Sequence, residues 1–458
     1  MIPDVELKSR PVSSVLAAEV GLTQDITNPS SSVLGSLPLD CEAGGKNSKS
    51  DISYESKREA LKFGTLSSAY LMFQTTVGIS LFTLQSPFSD AGLIWSLVIC
   101  IFCCYLTSYG LLNILKLVTD VENSQVVDRR FQNLYAVAKY LKGPHVPALR
   151  WIMTVACVGM MLTSSVSNLM LTTKSLAYVA DKYTCTFLIF IGITICLFFI
   201  VEPEKIKPFT TVTTVIVIFV AILFTFMNLS TFFSGESEVS LSDIPLFGFG
   251  NTFKLTGNLI YAFELCSCYL SLRMTSNHTV DYNWLTKRMM IFITAVYYIA
   301  GASFVLAFPK DRISESAFEI YGTGALKYCA FAYSLNTVYN FITNTIFACE
   351  VFESIGFVRK HLVDPSNSLQ RQKIVMLRVC VWTFTVLLSL VSGQKVTSFL
   401  NFSGSVFSPI VGFIGPLIYY YTFMSNQNKT VLPIRKIHDA IYLIITFLIA
   451  YYGIKAVL

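Results

Sequence analysis

Residues Tyr183–Val201 and Phe209–Leu229 contain no charged side chain, and each is apolar on every side of a helix. Such a stretch has no polar stripe to turn toward water, as a helix of a soluble protein does. It is instead long enough to cross a bilayer, which takes about 20 apolar residues. About eleven stretches of this chain meet that need. They are residues 63–88, 91–115, 149–173, 183–201, 208–229, 245–272, 288–308, 325–350, 374–394, 396–424 and 437–457. The whole chain is 53% hydrophobic and only 14% charged. The fold class expected from this pattern is an all-α integral membrane protein with about 11 transmembrane helices.

Basic residues orient the spans. With the N-terminus placed in the cytosol, the cytosolic loops hold about 22 lysines and arginines, and the opposite side holds about six. That bias predicts a cytosolic N-terminus and, with an odd number of spans, a C-terminus on the other side. The net charge of +6 then reflects topology and not nucleic-acid binding. Residues 1–60 differ in composition, with eleven serines, few aromatics and no span. They lack the apolar core of a secretory signal peptide and read as a disordered cytosolic tail, leaving 61–458 as the transmembrane domain. Residues 131–142 form a short amphipathic segment, expected to lie along the cytosolic membrane surface between spans two and three.

Two spans are interrupted, at corresponding places of two five-span halves. Span one reads Gln74-Thr75-Thr76-Val77-Gly78-Ile79-Ser80-Leu81, and small residues there let a helix unwind. Amides freed at the start of the second half-helix suit a carboxylate. Freed carbonyls and the side chains of Gln74, Thr75 and Thr76 suit a cation or an amine. Close helix packing through small residues explains the same pattern about as well. Span six reads Tyr261-Ala262-Phe263-Glu264-Leu265-Cys266-Ser267. A charged side chain at the bilayer centre costs about 3 kcal/mol or more, so Glu264 is expected to face the protein interior. Three roles are open to it: proton carrier, cation partner, or structural acceptor for freed backbone amides. It is the only acidic residue that the sequence places deep inside a span. Lys254, nearer the outer end of that span, can snorkel to the surface. Paired discontinuous helices of this kind mark the binding site of secondary transporters.

In span eight, Asn336, Asn340, Thr343 and Asn344 recur at helical spacing and are expected to look onto span one, for ligand binding or for helix–helix hydrogen bonds. Span ten, from Ser403-Gly404-Ser405 through Pro409 to Gly415-Pro416, is expected to be kinked. The four histidines fall in loops or at span edges, and the sequence has no Walker loop, no metal-spaced cysteine cluster and no nucleophile elbow. These absences speak against an enzyme, a bound metal or a cofactor. Most of the twelve cysteines lie within spans as small apolar residues. Cys185 and Cys329 fall near the outer ends of spans four and eight. They are expected either to pair as a disulfide on the oxidising side or to stay unpaired.

At these residues the chain resembles the amino acid/auxin permease family. That family opens its first span with Gly-x-Gly-x-Leu-x-x-Pro, then an aromatic residue and Ala-Gly. This chain reads Gly78-Ile79-Ser80-Leu81-Phe82-Thr83-Leu84-Gln85, then Phe88 and Ala91-Gly92. The family's Phe-Glu-Gly in span six corresponds to Phe263-Glu264-Leu265, and Phe347–Glu353 looks like its end of span eight. Ser80, Gln85 and Leu265 depart from the pattern. The resemblance covers about residues 60–458 and implies a LeuT-type 5+5 inverted repeat with one extra C-terminal helix and with helices 1 and 6 discontinuous. It further implies coupled transport of an amino acid by alternating access around a site between helices 1, 3, 6 and 8. On this resemblance the substrate-binding residues are Thr75, Thr76, Gly78, Ile79, Ser80, Ala262, Phe263 and Glu264. The candidates for coupling to H+ or Na+ are Gln74, Glu264, Thr337 and Asn340, with Gln74 standing where sodium-coupled members carry asparagine. The expected partners are a small-molecule amino acid and the lipid bilayer, in a plasma membrane or a vacuolar or lysosomal membrane. A second class of function stays open: a transporter-like sensor that binds an amino acid and signals through its tail.

Overall fold

The computed structural model describes residues 64–125, 131, 133–176, 192, 207–235, 237, 239–240, 242–313, 316–321, 327–355, 358, 368–391 and 396–455. The expected tail, the fourth span at 183–201 apart from residue 192, and Cys185 lie outside the described residues. Every regular element among those described is a helix. Seven of these helices are long and apolar enough to cross a membrane. The first and sixth spans are absent from that set because each is split into short halves, and the eighth because its asparagines and threonines lower its mean hydropathy.

The first span is α1 (Thr65–Thr76), a 3-10 turn (Ile79–Phe82) and α2 (Gln85–Ala91). Gln85 stands where the family pattern has proline, and Pro87 falls in the first turn of α2, where a helix needs no backbone N–H from it. Span two is α3 (Leu93–Gln125), which ends about ten residues beyond its apolar run. The extension persists because Leu117, Val118 and Val121 continue a buried stripe at helical spacing. The short helix α4 (Leu134–Ala138) follows, then α5 (Val146–Leu176) as span three and α6 (Lys207–Phe233) as span five. Span six is α7 (Thr252–Ala262) and α8 (Tyr269–Thr275), with the chain unwound between them. Span seven is α9 (Tyr282–Ala307), begun by the Asp281 carboxylate, which accepts the N–H groups of Asn283 and Trp284. After the short α10 (Ala317–Tyr321), spans eight and nine are α11 (Lys327–Ser354) and α12 (Ser368–Val391). Span ten is α13 (Val396–Ser408), a π-helical stretch (Pro409–Ile414) and α14 (Gly415–Asn426). The expected irregularity is there, centred on the proline that has no N–H to give. Span eleven is α15 (Pro433–Lys455).

Helix α6 shows how a membrane chain sorts its side chains. Phe209, Val212, Val215, Phe219, Ile222 and Phe226 repeat every three or four residues and are exposed, which makes a lipid-facing stripe. Thr210, Thr214 and Asn228 on the other side are buried and bond across helices. Thr210 meets Tyr339 at 2.7 Å, Thr214 meets Gln74 at 3.2 Å, and Asn228 meets Ser303 at 2.9 Å. The most extensive pairing is α5 with α11, laced by Thr172–Thr337 at 2.5 Å and Asn344–Ser164 at 2.8 Å. Helices α7 and α13 approach closely at Gly257 and Gly404, where a Cβ on Gly404 would collide with the Gly257 carbonyl.

The segment 131–142 packs against the helical body through its apolar residues. Phe131, Leu134, Tyr135, Val137 and Leu141 are buried, and α4 packs on α5, with the Arg150 guanidinium 4.9 Å from the centre of the Tyr135 ring. Its apolar face is covered by protein, which removes the drive to enter lipid. A buried acid also stands near the start of span eleven. Asp439 in α15 is 2% exposed and accepts hydrogen bonds from Tyr109 and, at 2.8 Å, Tyr421, with Arg435 3.5 Å away. The apolar run of span eleven hid it, because Asp439 lies in its first turns beside three basic or titratable neighbours.

Candidate functional site

Both helix breaks leave carbonyls without helical partners, and two tyrosines supply them. The Tyr297 hydroxyl on α9 lies 2.6 Å from the carbonyl of Thr76, the last residue of α1. It also lies 2.9 Å from the carbonyl of Ala262, the last residue of α7. One hydroxyl has one proton, so the two carbonyls share it. The Tyr333 hydroxyl on α11 donates to the Gly78 carbonyl. Glu264 serves the other polarity: its carboxylate accepts the backbone N–H of Ser267 at 2.8 Å within the unwound stretch. The Ser408 hydroxyl stands beside the same carboxylate.

Between these breaks lies a small cavity of about 30 Å³, room for on the order of two waters. Thr75, Thr76, Gly78 and Ser80 line it from span one, and Tyr261, Glu264, Ser267 and Cys268 from span six. Met160, Met161, Ser164 and Asn168 come from α5, and Asn340 and Asn344 from α11. Glu264 keeps part of its surface open, as a side chain facing the cavity would. Gly78 has no room for a side chain, because a Cβ there would stand 2.6 Å from Asn340 Nδ2.

The residues expected to bind substrate are thus partly gathered. Thr75, Thr76, Gly78, Ser80 and Glu264 share the cavity, and Ile79 opens the 3-10 turn beside them. Ala262 and Phe263 stand behind it. The Ala262 carbonyl is held by Tyr297, and the Phe263 ring packs edge-on against the Tyr297 ring with centroids 5.4 Å apart. The four ion-coupling candidates do not converge. Gln74 donates to Asn336 Oδ1 and accepts from Thr214, so both ends of its amide are engaged. Thr337 turns toward Thr172 of α5. Only Glu264 and Asn340 line the cavity. The span-eight face meets span one through Asn336 and Asn340, whereas Asn344 meets Ser164 of span three.

Sequence reasoning named no residue of span three and missed both tyrosines. Ser164 and Asn168, four apart in an apolar helix, were a readable signal. Tyr297 was not, since Tyr298 beside it looks the same in sequence.

Solved structures with a similar backbone include the Eremococcus coleocola manganese transporter in complex with an aromatic bis-isothiourea substituted compound. It is 12% identical, with 88% of each chain covered and a TM-score of 0.54. Another is a Na+-coupled sialic acid symporter in a substrate-bound outward-open state, 11% identical, with 86% of this chain and 89% of that chain covered and a TM-score of 0.56. Both have the LeuT fold, and at such identities the likeness concerns the fold alone. No curated protein sequence matches the chain. Fold and spans define a multi-pass integral membrane protein. More particularly, the chain belongs to the transmembrane amino acid transporter protein family, whose profile matches residues 62–458.

Proposed function

We propose that this chain is a secondary active transporter of amino acids, working by alternating access around the cavity between spans one, three, six and eight. The observation that carries the proposal is the cavity itself: two broken helices meet there, with Glu264 and freed backbone groups around it. The substrate carboxylate is placed at the break after Val77, where the helix has ended and backbone amides are free to meet an anion. The Thr75 and Thr76 hydroxyls spend their protons on the Leu71 and Met72 carbonyls. Their oxygens still accept, so the substrate ammonium is placed beside them. The carbonyls of Thr76, Gly78 and Ala262, engaged by tyrosines, are the support beneath this site.

A proton is favoured as the coupling ion. The oxygens that a sodium site would draw on are dispersed, with Gln74 and Thr337 bonded elsewhere, while one carboxyl stays in the cavity. Glu264 takes a proton on one side of the membrane and yields it on the other as access alternates. The five-plus-five repeat, the extra C-terminal helix and a cytosolic N-terminus belong to the same reading, with the loop charges as support for the orientation. The membrane is a plasma membrane or a vacuolar or lysosomal one.

Glu264→Gln keeps the side chain's shape and removes its titration. In liposomes holding the purified variant, accumulation driven by a pH gradient should vanish while exchange of substrate at equilibrium persists. A variant that still concentrates substrate on a pH gradient alone would show that coupling lies elsewhere.

A further inference from the structure

We propose that a phospholipid with an ammonium in its headgroup, an aminophospholipid, binds at the membrane surface between spans two and seven. Lys116 and Lys287 hold its phosphate and Asp120 holds its ammonium. This site is separate from the cavity between the broken spans and does not depend on what that cavity carries.

A second cavity, of about 670 Å³, lies between the later turns of α3 and the first turns of α9, beside the end of α8. Sites that take whole small molecules are of this size, about 300–1,000 Å³. Its depth in the membrane follows from α9. Trp284 in the first turn is exposed, with the Arg288 guanidinium 5.9 Å from the centre of its ring, and tryptophan beside arginine marks a membrane–water interface. Its access to lipid follows from α3. Ile94, Val98, Ile101 and Tyr105 recur every three or four residues and are exposed. Tyr109, Leu112 and Lys116 continue that spacing and line the cavity. An acyl chain lying along this stripe brings its headgroup to Lys116.

The charges of the lining then choose the headgroup. They are Lys116, Asp120, Arg273, Asp281 and Lys287, with His278 beside them. Two are already matched. Arg273 donates to both oxygens of Glu122 at 2.8 and 2.7 Å, and Asp281 accepts the N–H groups of Asn283 and Trp284 at 2.9 and 3.1 Å. Lys116, Asp120 and Lys287 form no ion pair among the described residues. Lys116 and Asp120 stand four apart on α3 and share a face, yet the Lys116 ammonium lies 5.3 Å from the centre of the Tyr420 ring. Basic crevices between spans at the membrane surface take lipid phosphates, and lysines from two facing helices suit one. A headgroup with only negative charge would meet Asp120 as a like charge. An ammonium has N–H groups to give that carboxylate, whereas the quaternary nitrogen of choline has none. A free amino acid carries the same two charges, but the apolar Leu112 and Leu115 in the lining and the stripe beyond them fit a lipid tail.

Native mass spectrometry of the full-length protein in detergent tests this. The protein is titrated with phosphatidylethanolamine, phosphatidylcholine and phosphatidylglycerol carrying the same acyl chains. Half-maximal binding of phosphatidylethanolamine should come at a concentration about five-fold or more below that of either other lipid. Lys116→Gln combined with Lys287→Gln should weaken its binding on the order of ten-fold or more. Asp120→Asn should bring phosphatidylethanolamine to the level of phosphatidylcholine and leave phosphatidylcholine binding in place, a selective change that a purely structural role would not produce. Phosphatidylcholine binding as tightly as phosphatidylethanolamine in the wild type would overturn the inference, as would tighter binding of phosphatidylglycerol or an unchanged preference in Asp120→Asn. Displacement of the lipid by free phosphoethanolamine or a free amino acid at a similar concentration would overturn the assignment to a lipid. The wild-type series decides the matter even if a variant does not fold.

Discussion

Tyr297→Phe removes one oxygen from the junction of the two broken helices. The lost hydroxyl serves the Thr76 and Ala262 carbonyls at 2.6 and 2.9 Å, but its single proton makes one hydrogen bond at a time. The loss is therefore one bond between neutral groups, not two, plus the cost of buried carbonyls left short of a donor. That totals about 1–2 kcal/mol. The Phe263 contact depends on the ring and survives the change. Because the bond ties α9 to the broken end of α1 or α7, its loss falls on the arrangement seen here, and 1–2 kcal/mol changes the population of that arrangement by a factor of about 5–30. The apparent substrate affinity in liposome uptake should fall by about the same factor, while the purified variant keeps its helical content and elutes as the wild type does. An affinity within about two-fold of wild type would refute the reasoning, since it would mean the hydroxyl's energy is the same in every state of the cycle.

Gly78→Val should abolish transport while the protein still reaches the membrane, because a side chain there meets Asn340 Nδ2 at the cavity wall; uptake compared with surface labelling checks it. Glu122→Gln breaks a mostly buried pair in which both Arg273 nitrogens bind the carboxylate at 2.8 and 2.7 Å, and should cost about 3–5 kcal/mol, read as a clear drop in the unfolding temperature in detergent. Asp90→Asn breaks two pairs at the other end of span one, with Lys254 at 3.4 Å and Lys310 at 2.8 Å. Those lysines are well exposed, so each pair is worth about 0–1 kcal/mol and the unfolding temperature should move far less than for Glu122→Gln.

Much of the fold was legible in the sequence because the bilayer imposes a simple rule of length and polarity. Span five could be read to within a few residues for that reason. The break at Gly78 was legible because small residues interrupt an otherwise apolar run, and Glu264 because a lone carboxylate stands out there. What could not be read depends on which face of a helix meets which neighbour. Asn168 is found at the cavity only once α5 is packed beside the broken spans, and Thr337 is found beside Thr172 instead of in the cavity lining. Asp439 escaped notice because its partner Tyr109 comes from a helix far away in sequence and Tyr421 from the helix just before.

The central claim, coupled movement of an amino acid through the cavity, is tested most directly with the purified wild-type protein in sealed liposomes. Labelled amino acid is supplied outside, and a pH gradient or a sodium gradient is imposed in separate runs. The expected result is accumulation above the external concentration with the pH gradient, collapsed by a protonophore and absent with sodium alone. Tight binding of the amino acid without any entry under either gradient would contradict the claim and identify the protein as a sensor.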